Sequence, residues 1–484
     1  MSTSSAHHAA SVSAWSDAKV RLWCFPPDRL GIRQRPQMRT RLAALGILTA
    51  YATLSLQNVG ITIAIPLGIR ELGTAVDLGP TYAVFLAGNI LGMVAGGALS
   101  RRWDISRTVL VATVISTCGL VVAAWAPVLL VLVGFRGVQG VGAGLSLVAV
   151  YIVAVRLFHG AARARMLGVL STAWILPGIL GPSLVGAIAD EVGWRWTFVI
   201  AALAHVPGGV AVWLSARQLS SEPAAVPARS PLLPASAVAA GIVGLALGET
   251  GPGPQLGLVA VSVLLIVVAT PAMLPPGTLT GRRGVPAAIA MRGLLAGAFF
   301  GVEAWLPLML IDRYGLSVRD AGLIVGTGGV AWLCGVAIQA RSVAGTAQRR
   351  VEVVGLGASL ITLGMAGMVA AILLSGWWWP VGLFWSVACM GMGSAIPTVS
   401  ALVYDFSAPS SHASNTAALQ SSDALGCALV ASVCGWAFAR ASAGGAEHSY
   451  SVVFVVAGLV GLAALCVVGR LPRSVSSDEQ SASR

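Results

Sequence analysis

From Leu42 to Pro66 the chain runs without one charged side chain, and apolar stretches of this kind recur as far as residue 470. A run of roughly 18 or more apolar residues is long enough to cross a bilayer as a helix. Only 10% of the 484 residues are charged and 56% are hydrophobic, with a mean hydropathy of +0.84. A soluble chain carries about 25% charged residues. The chain is therefore expected to be an all-α integral membrane protein, with its partners in the lipid bilayer. Within the first stretch Gln57 and Asn58 stand side by side, and two adjacent amides in hydrocarbon are costly unless something uses them.

The apolar stretches predict fourteen spans, at about 42–66, 79–99, 108–126, 128–154, 166–188, 196–214, 232–248, 255–273, 286–310, 321–339, 352–374, 380–404, 418–439 and 451–470. Lys and Arg set the orientation. Of the 30, 23 fall in the segments that are cytoplasmic if the N-terminus is inside, five fall in the opposite loops, and Arg136 and Arg292 fall within spans. By the positive-inside rule both termini face the cytoplasm, in the cytoplasmic (plasma) membrane.

The organisation expected is a basic disordered tail over 1–41, a six-helix bundle over 42–214, and a cytoplasmic linker over 215–231. Two extra helices follow over 232–273, then a cytoplasmic loop over 274–285, a second six-helix bundle over 286–470 and a tail over 471–484. The first 41 residues lack the short apolar region and small-residue cleavage site of a signal peptide. Met38, just before the first span, is expected as an alternative start. "GGALSRRWDISR" and "GVAIQARSVAGTAQRR" follow the second span of each six and echo one another, as in transporters built from parallel repeats.

Composition also excludes. Net charge is +12, but the basic residues form short clusters between spans and no basic stripe with interleaved aromatics, so nucleic acid is not the partner. Six of the seven cysteines lie in apolar stretches without metal-ligand spacing, so they read as small packing residues and no metal or cofactor is expected. Six scattered histidines, with neither a P-loop nor a nucleophile elbow, argue against a membrane enzyme. No soluble signalling domain supports a sensor. Of the 58 glycines, several pair at GxxxG spacing, such as Gly92/Gly96 and Gly140/Gly144, which suits close helix packing in lipid.

Four stretches carry a resemblance. "LVGFRGVQGVGAG" in the fourth span holds Arg136, Gln139, Gly140 and Gly142. "PGILGPSLVG" in the fifth holds Gly181, Pro182 and Gly186. The loop "GGALSRRWDISR" holds Gly97, Arg101, Arg102 and Asp104. "LQNVGITIAIP" holds Gln57 and Asn58. Together, and in their order along the chain, they resemble the major facilitator superfamily, and within it the fourteen-span drug:proton antiporter branch of actinobacterial type. The resemblance implies the major facilitator fold, two six-helix bundles plus two extra central helices. It implies a conformational role for the glycines, Pro182, Gln139 and the loop residues, and a role in proton transfer for Arg136. Arg136 lies about 12 Å into its span at 1.5 Å per residue, too deep to snorkel, where a charge costs about 2.5–3.5 kcal/mol.

Two departures matter. Arg101 stands where the family's loop has aspartate, with Asp104 the nearest acid. Gln57 stands where the family's first span has aspartate, and an amide does not bind and release protons as a carboxyl does. Proton coupling is therefore expected from Glu303 in "FFGVEAWLPLML", embedded in the ninth span, with Asp423 in "LQSSDALG" as a second carboxyl. Gln57, Asn58, Asn89, Trp174, Trp305, Trp332 and Met309 are expected to wall a substrate cavity suited to lipophilic neutral or cationic molecules. The expected function is monomeric, secondary active, proton-coupled efflux of small lipophilic or amphipathic compounds. A uniporter or importer of a small metabolite is the alternative, favoured by the missing first-span acid.

Overall fold

The computed structural model describes residues 34–73, 77–158, 160–219, 232–250, 256–343, 346–374, 376–407, 412–441 and 446–472. Residues 1–33 and 473–484 of the expected tails, and most of the linker, lie outside the described residues, whereas residues 34–41, expected as part of the disordered tail, are helical and begin α1. Every described element is helical, with no strand among the described residues.

Helix α1 (Gln34–Ser55) runs into a π-helical segment, Leu56–Gly60, and on into α2 (Ile61–Leu72). Next come α3 (Leu78–Arg102), α4 (Ile105–Ala124), α5 (Leu129–Leu157), α6 (Gly160–Glu191) and α7 (Trp194–Ala216). Two shorter helices, α8 (Leu232–Thr250) and α9 (Leu256–Ala269), precede a second set. This holds α10 (Val285–Phe300), α11 (Trp305–Tyr314), α12 (Val318–Val343), α13 (Ala347–Leu374), α14 (Trp379–Asp405), α15 (His412–Ala441) and α16 (Ala446–Val468).

Eleven helical stretches among the described residues are long and apolar enough to cross a membrane, and two shorter apolar ones cover 232–248 and 257–272. With α6 added, each of the fourteen expected spans has a helical counterpart. The chain is a multi-pass membrane protein. Residues through Leu45 form one compact unit and Gly46–Arg484 a second, which holds everything described below.

In lipid the apolar side chains gain little by leaving their surroundings, so helix pairs form by close packing of small residues. Helices α3 and α5 pair in this way. A Cβ at Gly140 would run into the carbonyl oxygen of Phe85, and one at Gly144 into that of Asn89. The same device joins the two sets of helices. A Cβ at Gly322 in α12 would strike the Pro182 carbonyl in α6, and one at Gly186 would lie 2.6 Å from the Val318 carbonyl oxygen. Just beyond, the Asp190 carboxylate accepts hydrogen bonds from the Val318 and Arg319 backbone N–H groups at 3.2 and 2.7 Å. That satisfies donors that the first turn of α12 leaves without intrahelical partners. At this same end Arg70 of α2 pairs with Asp312 of α11, whose other oxygen accepts from the Tyr450 hydroxyl at 2.7 Å.

Candidate functional site

Two spans lose regular α-geometry at membrane depth, and both open a six-helix set. In the first, the Ile61 N–H reaches back five residues to the Leu56 carbonyl, a wider turn than the α-helix allows. In the ninth, the residues between α10 and α11 are held by tightened turns: Val302 N–H bonds to Phe299 O at 3.3 Å and Trp305 N–H to Val302 O at 2.9 Å. Pro307 also lacks the N–H that would bond to the Glu303 carbonyl four residues back. Irregular backbone inside a membrane persists only where protein or a cavity satisfies it. Such π-segments and broken helices recur at functional sites.

The first interruption separates the two adjacent amides. Asn58 bonds back to the Leu54 carbonyl at 2.8 Å and stays half-buried. Gln57 is wholly buried and joins a chain of polar side chains. Its Oε1 accepts from Ser116 Oγ at 3.1 Å and from Gln139 Nε2 at 3.4 Å. Gln139 Oε1 in turn accepts from Arg136 Nη1 at 2.6 Å. The Arg136 guanidinium lies over the Phe85 ring, with Cζ 4.1 Å from its centroid. Ser116, Gln139 and Arg136 are as buried as Gln57.

The second interruption holds Glu303. Its side chain is 8% exposed, and its carboxylate has no hydrogen bond or ion pair among the described residues. It lies within electrostatic reach of Tyr82 in α3, Cys389 in α14 and Cys427 in α15. Tyr82 is also within reach of Arg136, and its hydroxyl donates to the Phe300 carbonyl at 3.1 Å, at the lip of the break. Tyr82 is thus within electrostatic reach of both Arg136 and Glu303.

Asp423 has a different setting from Glu303. Arg292 of α10 holds both of its oxygens, with Nε at 2.7 and 2.9 Å and Nη2 at 2.7 Å. Arg292 Nη1 also donates to Ser400 Oγ at 2.7 Å and to the Ile396 carbonyl at 3.1 Å. The sequence places Arg292 inside a span but gives it no role. The available signal was its depth, since an ionisable group inside a span calls for a partner.

The expected cavity wall divides. Trp332 is half-buried and meets Phe299 and Phe300 at centroid distances of 6.0 and 6.2 Å. Phe299 stacks on Trp385 at 4.6 Å, which makes an aromatic cluster directly before the Glu303 break. Sequence reasoning named neither Phe299 nor Trp385. Trp305 is 1% exposed and packs on Phe438 at 4.6 Å, and Met309 is wholly buried. Asn89 is half-buried on α3, with its backbone carbonyl against Gly144. The side chains of Trp174 and Arg101 lie outside the described residues.

The motif residues fall as follows. Gly140 and Gly142 seat α5 against α3 and α4, Pro182 and Gly186 meet α12, and Gly181 is buried on α6. Gly97 is half-buried near the end of α3, and Arg102 is exposed. Asp104 accepts from Ser106 Oγ at 2.8 Å and forms no ion pair among the described residues.

A family model described as "Major Facilitator Superfamily" matches residues 44–431. The chain is 25% identical over 317 residues to "Multidrug transporter protein MdtP" of Bacillus subtilis (strain 168), covering 60% of this chain and 56% of that one. It is 26% identical over 164 residues to "Multidrug resistance protein 3" of the same organism, covering 34% and 32%. The chain thus spans about half or less of the length of the curated relatives it matches. A solved structure, "peptide transporter POT in complex with sulfate", superposes with a TM-score of 0.66 at 14% identity, covering 88% of this chain and 94% of that one. That likeness concerns the fold alone.

Proposed function

The chain belongs to the major facilitator superfamily, and we propose that it is a secondary active transporter exporting small lipophilic or amphipathic compounds across the cytoplasmic membrane in exchange for protons. The family is one of carriers of small molecules rather than enzymes. The observation that carries the finer reading is Glu303, a buried carboxyl without a cation beside it, set in a broken helix. It is a carboxyl inside a span that can take a proton on and off, whereas the amides of Gln57 and Gln139 cannot. The aromatic cluster of Phe299, Phe300, Trp332 and Trp385 beside it suits a lipophilic or cationic guest. The multidrug names of the two Bacillus relatives support efflux.

In this reading residues 42–214 and 286–470 rock against each other around the two interrupted spans, with both termini cytoplasmic. Glu303 alternates between proton and substrate. Arg136, reached through Tyr82, biases proton release, and Asp423 shares the proton pathway only when Arg292 lets it go. Gln57, Asn58, Asn89, Trp174, Trp305 and Met309 complete the path.

The test is proton movement driven by a lipophilic cation such as ethidium in proteoliposomes, with Glu303→Gln as the control. Exchange that survives the substitution unchanged removes Glu303 from the mechanism. A second reading, uniport or import of a small metabolite, is favoured by the neutral Gln57. It predicts flux of a labelled compound that does not respond to a pH gradient.

A further inference from the structure

An arginine side chain offers five N–H bonds and no lone pair, so it fixes the sense of every hydrogen bond leading away from it. Gln139 turns its carbonyl oxygen toward Arg136 Nη1, and its amide nitrogen is left to donate onward. That nitrogen meets the carbonyl oxygen of Gln57, which also accepts from Ser116. Gln57 therefore ends the chain with its own amide nitrogen, a donor that is buried with no partner. Flipping either amide would set N–H against N–H, so the hydrogen-bond network decides the assignment. At the other end, Nε and Nη2 of Arg136 are also buried with no partner.

The cluster thus has surplus donors on two wholly buried side chains, and it carries a positive charge. Among the described residues no carboxylate pairs with Arg136. The Phe85 face stabilises the charge but supplies no lone pair for the N–H groups. A buried ion without a counter-charge costs several kcal/mol, and each unmet buried donor about 1–3 kcal/mol. The surrounding helices touch through their backbones, Gly140 on Phe85 and Gly142 on Ser116. An acceptor that fits among them is small.

We infer that the Arg136 guanidinium, through its unmet Nε and Nη2, forms a binding site for a small monovalent anion, of the size of chloride, inside the first six-helix bundle. The anion supplies the negative charge that Gln57 and Gln139, both neutral, do not. A carboxylate at either position would be an internal counter-ion and would close the site to anions. A water molecule would satisfy the donors without the charge. This site is independent of the transport reading, because it is tested by binding alone.

The experiment compares thermal unfolding of the purified full chain in sodium chloride and in sodium gluconate at equal ionic strength. Chloride is expected to raise the midpoint by about 2–4 °C, increasing with its concentration. Gln139→Glu keeps the side-chain shape and places a carboxylate against Arg136. It is expected to unfold at the same midpoint in both salts, as is Arg136→Gln. Equal midpoints for the unaltered protein overturn the inference, which leaves water as the acceptor. A chloride effect that Gln139→Glu retains in full also overturns it. Because Gln139→Glu preserves shape, the outcome does not hinge on whether Arg136→Gln folds.

Discussion

Arg292 and Asp423, 131 residues apart on α10 and α15, form a fork-on-fork ion pair in which Nε reaches Asp423 Oδ1 and Nη2 reaches Oδ2, each at 2.7 Å. The side chains are 16% and 20% exposed, so little water is on hand to replace a lost partner. Asp423→Asn and Arg292→Gln are each expected to destabilise the protein by about 3–5 kcal/mol, because each strands a charge. The double substitution is expected to cost clearly less than the sum. Thermal unfolding of the four proteins measures this, and strict additivity would contradict the pairing.

Gln57→Asp introduces a titratable group against Ser116 and Gln139, in the cluster that holds Arg136. It is expected to make transport more strongly dependent on pH than in the unaltered protein. Initial rates of lipophilic-cation efflux across a pH series provide the measurement. An unchanged pH profile would mean that the cluster does not communicate with the translocated proton.

The Tyr82 hydroxyl ties α3 to the Phe300 carbonyl, and the proposed proton path takes Tyr82 as the link between Arg136 and Glu303. Tyr82→Phe removes the hydroxyl and keeps the ring. The cost to stability is expected to be small, about 0.6 kcal/mol, the average for a hydrogen bond within a membrane. The effect on proton-coupled exchange is expected to be larger, about tenfold or more, in line with lost proton-transfer assistance. Stability and exchange rates measured on the same preparation separate the two.

Gly322→Val forces a side chain into the Pro182 carbonyl, where α6 and α12 meet. Overpacking of this kind costs about 1–3 kcal/mol. Part of that cost can be relieved by separating the helices, so faster labelling of a cysteine placed at Ser183 is expected in the variant. Slower labelling would mean that the contact tightens instead.

The fold was legible because each span needs only length and the absence of charge, and both are local properties of the chain. Helix faces were not legible. In lipid both sides of a helix are apolar, so periodicity carries little information about which side meets a neighbour. Gln57 and Asn58 show the consequence. Adjacent in sequence, both read as cavity wall, yet the π-segment buries Gln57 in a network and leaves Asn58 bonded to its own helix. The burial of Glu303 is legible from its depth in the span alone. The partner of Asp423 is not, because nothing in a linear reading joins residues 292 and 423. The aromatic cluster was half seen, through Trp332, since Phe299 and Trp385 look like ordinary apolar filling until the helices are assembled.

The Arg70–Asp312 pair fastens the two sets of helices at the end that holds Glu71, Asp190 and Arg195, and its members are 45% and 25% exposed. Charges as open as these are screened by dissolved ions within about 8 Å at physiological ionic strength. The clasp is therefore weakened by the medium on its own side of the bilayer and is indifferent to the medium on the other. Salt added to one compartment of a vesicle should favour opening toward that compartment. The carrier would then respond to the saltiness of one of the two solutions it separates.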